Sequence, residues 1–503
     1  MRNFKHLASA ALLAVCGVTG VVAQNYSDCG CPPVASRPEV NLSTKVVAYG
    51  DTTTSGNLLG SITLSCDTTY ILNSRVYVLP GQTLTIQAGT VVKGKKSSAA
   101  ANANAVVVSR GGKIYAQGTE SCPIIFTAYD DQLDGNYSDT ISAQWGGIIV
   151  LGKAFNNTKT GDGLTVPAAD GGQDGIAYIE GLRVPDARHH YGESAANRND
   201  DDNSGVISYV SIRHAGAILG AANEINGLTL GSVGRGTQID HVEIVANEDD
   251  GIEFFGGTVD VKHIICMFNK DDNFDWDQGY SGRGQFIYSV QYPTVGNHGF
   301  ELDGQDVTGR TPYSNARFFN ATIIGNNNAS NMGIEAKAQT QGEVSNSIFA
   351  NFAQGVRLNS NVVPFHTDGT WVTKNNAFVN VATLISPASE ATKFATEGNA
   401  AVTITGFDYT LELNASGDIT GKVNPVPSVA SEVSTTYYAP ADGFFERVNY
   451  KGAFKPGVPA WNAKWGTPAI GNPVVCPTDI NNSNKTDIDD LLELISNFNG
   501  SCN

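Results

Sequence analysis

The chain has 503 residues, of which only 16% are charged and 55 are glycine. That balance suits many turns and few long helices, and the length allows one large core or one elongated solenoid. A net charge of −17 argues against nucleic acid as a partner and fits a secreted protein that meets cations or neutral and basic surfaces.

Residues 1–23 read as a signal peptide. Arg2 and Lys5 give the positive start, Leu7 to Val15 the apolar stretch, and Val21-Val22-Ala23 the small-residue cleavage site. No later apolar run is long enough to span a membrane. Export permits disulfides. Cys476 and Cys502 bracket a C-terminal segment and are expected to pair. Cys29 or Cys31 is expected to join Cys66 or Cys122, with the connectivity open. Cys266, in the apolar run His263 to Phe268, is expected to stay a free, buried thiol.

Residues 24–60 are polar and rich in Ser, Thr and Pro, and read as a leader or cap. From residue 61 short alternating strands recur, among them Val76-Tyr77-Val78, Leu84-Thr85-Ile86 and Val106-Val107-Val108, with Pro-Gly and Ala-Gly corners. Residues 154–204 form an insertion with little periodicity. Its His189-His190 and Asp200-Asp201-Asp202-Asn203 read as solvated loop, with a metal site as the alternative. His214 and His263 alternate with apolar neighbours and read as ordinary strand residues. Coils resume near 206 and run to 380. Residues 381–470 read as terminal strands and a cap.

Within the coils four segments share one pattern. They are Asp250-Gly251-Ile252-Glu253, Asp272-Asn273-Phe274-Asp275, His298-Gly299-Phe300-Glu301 and Met332-Gly333-Ile334-Glu335. Their acids recur 22, 26 and 34 residues apart, a spacing characteristic of β-solenoids. Equivalent positions of successive coils then stack about 4.8 Å apart. Glu253, Asp275, Glu301 and Glu335 are therefore expected in one column, preceded by Thr229 and followed by Arg357. Asp277, Asp303 and Lys337 are expected in a second column. Carboxylates that close require a cation, a basic partner or a raised pKa.

The segments Leu84 to Val91, Trp145-Gly146-Gly147-Ile148, Asn223 to Thr229 and Asp249 to Val259 resemble a family of secreted, Bacteroidetes-type, right-handed parallel β-helix proteins. The resemblance spans roughly residues 60–460. It implies an all-β fold, a right-handed parallel β-helix, and export to the cell surface or medium; it assigns no chemistry.

Residues 471–503 form a separate module. Asp479, Asn481, Ser483, Asp487 and Asp490 fall at side-chain ligand positions of a twelve-residue calcium loop, and Lys485 would offer its carbonyl. Ile488, Leu491, Leu492, Ile495 and Phe498 then share one helical face. The segment resembles half of a dockerin, which implies Ca²⁺ binding and docking to a partner protein.

The acid column supports two functional readings. In the first, Glu253, Asp275, Asp277, Glu301, Asp303 and Glu335 bind Ca²⁺ and through it an extracellular glycan or cell-surface partner protein. In the second, two carboxylates hydrolyse an acidic polysaccharide. A partial likeness to the polygalacturonase family lies in Glu248-Asp249-Asp250, Asp271-Asp272, Asn297-His298-Gly299 and Arg357-Leu358-Asn359. It implies Asp250, Asp271, Asp272, Asp275, His298, Glu301 and Arg357 as candidate catalysts. A lyase using Ca²⁺ and Arg357 or Lys337 is a variant of this reading. The alternative to both is structural, because Asp-Asp-Gly and Asn-His-Gly are also ordinary coil corners on a solvated face.

Overall fold

Short strands with one apolar face bury it only by stacking on copies of themselves. In this chain they build a parallel β-helix. The structure is a computed structural model and describes residues 29–47, 56–97, 103–180, 182, 186–219, 224–415, 417, 419 and 423–467. The expected signal peptide, the Cys476–Cys502 pair and the calcium loop 479–490 lie outside these residues. Ten strands form one parallel sheet, from Val76–Val78 through Ile148–Leu151, Leu228–Gly231, Ile252–Phe255, Phe274–Asp277, Phe300–Asp303, Met332–Lys337 and Gln354–Leu358 to Thr383–Ser386. The rest of each coil lies in a 17-stranded sheet whose strands also pair in parallel. Between the sheets Phe254, Phe274, Trp276, Phe300, Phe318 and Phe349 belong to one buried core. Coil corners there are tight. A Cβ on Gly251 would stand 2.7 Å from both the Cys266 sulfur and the Asn273 carbonyl.

Long strands of the larger sheet bend at a single left-handed residue. His241, His263, Phe286 and Asn320 have φ of 55°, 52°, 59° and 58°, and with Tyr209, Asn346 and Asn375 they line one corner. His263 is thus a corner residue, not the ordinary strand residue expected. His214, at φ 61°, likewise lies just past the strand Gly205–Arg213.

The leader supplies the first rung, because Glu39–Asn41 pairs with Thr69–Leu72. Disulfides Cys29–Cys122 and Cys31–Cys66 fix it, and Cys266 is free and buried. In the insertion 154–204, Asp200-Asp201-Asp202-Asn203 stay at the surface in turn and loop, as the solvated-loop reading expects, but His189 and His190 do not. The hairpin Ile176–Tyr178 with His190–Gly192 brings Ala177, Ile179 and Tyr191 onto Tyr77, Val107, Ile149 and Phe255 on the outer face of the ten-stranded sheet. His189 and His190 are buried there, and burial pulls both imidazoles down to about 4. His189 Nε2 meets the Tyr77 hydroxyl at 2.8 Å.

Past Ala400–Ala401 the chain does not continue the coils. It runs back along the corner as a strap. Asn346 and Asn320 donate to the carbonyls of Tyr437 and Tyr450 at 2.7 and 2.8 Å. Trp461 and Trp465 reach His263, His241 and Tyr209.

Trp276 is 1% exposed and its Nε1–H donates to Thr340 Oγ1 at 3.0 Å. Trp276→Ala is expected to destabilise the chain by about 3–5 kcal/mol, read as a lower denaturant midpoint.

Candidate functional site: an acid-lined sheet face

One outward position per strand of the ten-stranded sheet forms a single column. It reads Tyr77, Val107, Ile149, Thr229, Glu253, Asp275, Glu301, Glu335, Arg357 and Ser386. The register is the one the spacing predicts. Alternation sends Ile252, Phe254, Phe274, Trp276, Phe300 and Leu302 into the core and the acids outward. The column changes character along its length. Its first members are apolar and roofed by the insertion, and the acids begin where that apolar cover ends. In the second column Asp277 pairs with Phe255, and Asp303 with Lys337.

The face is half-buried: Asp249, Asp275, Glu301, Asp303, Lys337 and Arg357 keep part of their surface in solvent, and Asp271 is exposed. Asp250, Glu253, Asp272, Asp277, His298 and Glu335 are all buried.

Several candidates turn out to hold the coils together. The turn residue of each coil accepts the backbone N–H of its equivalent in the next. Asn226 Oδ1 accepts from Asp250 at 3.2 Å, Asp250 Oδ1 from Asp272 at 2.9 Å, Asp272 Oδ1 from His298, and His298 Nδ1 from Met332 at 3.3 Å. Asp250, Asp272 and His298, three of the residues resembling a polygalacturonase site, are members of this ladder. With its Nδ1 accepting, His298 donates Nε2–H to Glu335 at 2.8 Å.

The basic residues are also engaged. Arg357 closes on Glu335 Oε1 through both Nε and an Nη. Burial works upward on the Glu335 carboxyl, but His298 and Arg357 outweigh it and pull it down to about 2. Lys337 lies 2.8 Å from Glu301 and 3.4 Å from Asp303. Burial acts downward on its ammonium, but these acids push it above the ordinary lysine range. Neither residue is a free base of the kind a lyase needs.

What remains is surplus negative charge. One oxygen each of Asp275, Asp277 and Asp303 is buried without a hydrogen-bond partner. Burial, then the neighbouring acids, push Glu253, Asp275 and Asp277 well above the carboxylate range; the neighbours are chiefly Glu180 and Asp275 for Glu253, Glu301 and Asp303 for Asp275, and Asp306 for Asp277. Burial raises Asp303 to about 7 despite Lys337. Asp249 reaches about 7 through burial and Asp271, and Asp271 itself is raised. Asp250, Glu253 and Asp275 each bring one oxygen within 4.8 Å of the others, and so do Asp272, Asp275 and Glu301. Asp275 belongs to both triplets. Hard oxygen donors in this number suit Ca²⁺.

Asp306 and Glu180 escape a sequence reading, because one follows a strand and the other lies in the insertion, neither with an equivalent in the repeat. Asn226 was visible in the motif, though its ladder role was not.

A family model described as a pectate-lyase like beta helix domain matches residues 56–414, and the chain belongs to that family. No curated protein and no solved structure matches it significantly.

Two outcomes are expected. The folded-state pKa values of Asp249 and Asp303 lie above those of the unfolded chain, so their stabilising effect is full at low pH and is lost as pH rises through about 7. In chelator, the melting temperature should fall by a few degrees between pH 5 and pH 8. Second, the ladder needs only the acceptor oxygen of Asp250. Asp250→Asn should match or exceed the chelated parent in stability, whereas Asp250→Ala, which orphans the Asp272 N–H, should cost about 1–3 kcal/mol. Equal melting of the two variants would remove the ladder's structural role.

Proposed function

We propose that the acid-lined face holds Ca²⁺ and, through it, an extracellular acidic glycan. The observation that carries this is Asp275, shared by two oxygen triplets and carrying a buried oxygen that no donor meets. A cation there removes the repulsion between stacked carboxylates. It also resolves a conflict of charge: a chain of net −17 repels an acidic polymer unless a cation bridges them. Glu253, Asp275 and Glu301 are the central ligands, with Asp277 and Asp303 beside them. Membership of a pectate-lyase-like family supports a polysaccharide as the partner class. In this reading the protein is exported, and the loop of Asp479, Asn481, Ser483, Lys485, Asp487 and Asp490 is a second Ca²⁺ site that docks a partner protein at the cell surface.

Cleavage of the glycan is the second reading. Asp249 and Asp303, both raised to about 7, are proton donors at neutral pH, as general-acid hydrolysis requires.

The test uses the full chain carrying Asp479→Ala and Asp490→Ala, so that the C-terminal loop is silent. Calorimetric titration should show Ca²⁺ binding that weakens at least tenfold when Asp275→Asn and Glu301→Gln are added. Retention on immobilised polygalacturonate or alginate should require Ca²⁺ and vanish with the same two changes. Unaltered Ca²⁺ affinity would reject the reading. New reducing ends would establish hydrolysis, and unsaturated uronide absorbance would establish elimination.

A further inference from the structure

Away from the acid face, the corner column brings together a different set of donors. His241 and His263 occupy equivalent corners of successive coils, their rings stacked with centroids 4.2 Å apart. Both turn Nδ1 toward a single oxygen. His241 Nδ1 lies 2.9 Å and His263 Nδ1 2.7 Å from Asp240 Oδ1. The side chains keep 16%, 16% and 45% of their surface in contact with solvent, in the order His241, His263, Asp240, so the cluster is accessible. The strap covers one side. Trp461 lies edge-on to both imidazoles, at 5.8 Å from His241 and 5.0 Å from His263, and Trp465 lies 5.8 Å from His241.

We propose that Asp240, His241 and His263 bind a divalent transition metal of the zinc, copper or nickel kind, tying two coils together beneath the strap. Two imidazole nitrogens with one carboxylate form a borderline-soft set that selects these ions over Ca²⁺. The fit needs little movement. Metal–ligand bonds of about 2.0–2.1 Å in tetrahedral geometry set ligand atoms roughly 3.3 Å apart, so the three atoms open by roughly half an ångström, with the rings turning about χ2. Coordination needs the Nδ1 lone pair, so in the bound state each ring carries its proton on Nε2 and Asp240 binds as the carboxylate.

The two tryptophans make the test direct. The full chain is titrated with Cu²⁺ in excess Ca²⁺, which occupies hard-oxygen sites, and tryptophan fluorescence and the copper paramagnetic resonance spectrum are followed. Saturable quenching at one equivalent, reversed by Zn²⁺, is expected, with a spectrum showing two coordinated nitrogens. His241→Asn with His263→Asn should weaken binding at least tenfold and erase the nitrogen signature. Asn already occupies this corner at Asn320, Asn346 and Asn375 and tolerates the left-handed conformation, so the metal-free variant should melt like the parent. Asp240→Asn, which leaves the corner residues intact, should also weaken binding. An oxygen-only copper spectrum in the parent overturns the proposal, and so does an unchanged quenching midpoint in the double variant.

Discussion

Parallel in-register stacking is the constraint from which the rest of this molecule follows. Each outward residue has its own equivalent about 4.8 Å above and below it, so a column sums whatever one coil places there. An apolar column gains burial with every rung, and an acidic column accumulates repulsion. The column from Tyr77 to Ser386 meets both cases. Its apolar part is roofed by the hairpin of the insertion. Its far acid, Glu335, is neutralised by Arg357 and accepts a hydrogen bond from His298, and Glu301 and Asp303 share Lys337. Between these ends no lysine, arginine or histidine among the described residues forms an ion pair with Glu253 or Asp275. Uncompensated acid concentrates there because the fold repeats a charge along the column and stops pairing it.

The turn ladder is scaffold that shares Asp250 and Asp272 with the candidate site. A coil corner leaves backbone N–H groups pointing along the axis, and buried ones need acceptors. Asn226, Asp250, Asp272 and His298 supply them in sequence. Asn, Asp and a His with Nδ1 unprotonated are interchangeable as acceptors, and this explains why the motif varies at the position while the backbone does not. The same residues imitate a hydrolase signature when read as a string. One oxygen or nitrogen of each side chain accepts from the next turn, so the same string also has a structural role.

The register and the acid column were legible because period-2 alternation leaves one orientation for each residue once one face is apolar. The free, buried Cys266 was legible from its apolar neighbours. Three features were not. The insertion lacks periodicity, so nothing in it announced that Tyr191 and Ile179 would cover the first coils or that His189 would be buried. The left-handed corners carry Tyr, His, Phe and Asn in turn, and only the Asn members signal that conformation locally. The strap has almost no regular structure and is held by hydrogen bonds to the corner Asn residues, between groups 60, 91 and 130 residues apart in sequence, and by aromatic edges.

In the Ca²⁺ reading proposed above, burial on the acid face couples proton and cation. Burial raises Asp249 and Asp303 to about 7 and holds Glu253, Asp275 and Asp277 well above the ordinary carboxylate range, so these carboxyls hold their protons more tightly than exposed ones. A cation must displace those protons, so its affinity rises with pH. A protonated face offers a glycan hydrogen bonds but no bridging charge. A metal-bearing face offers open coordination positions to sugar carboxylates and hydroxyls. The two states exclude one another at the same oxygens, and the buried, stacked geometry that raises the pKa values is also what gathers enough oxygens to hold the ion.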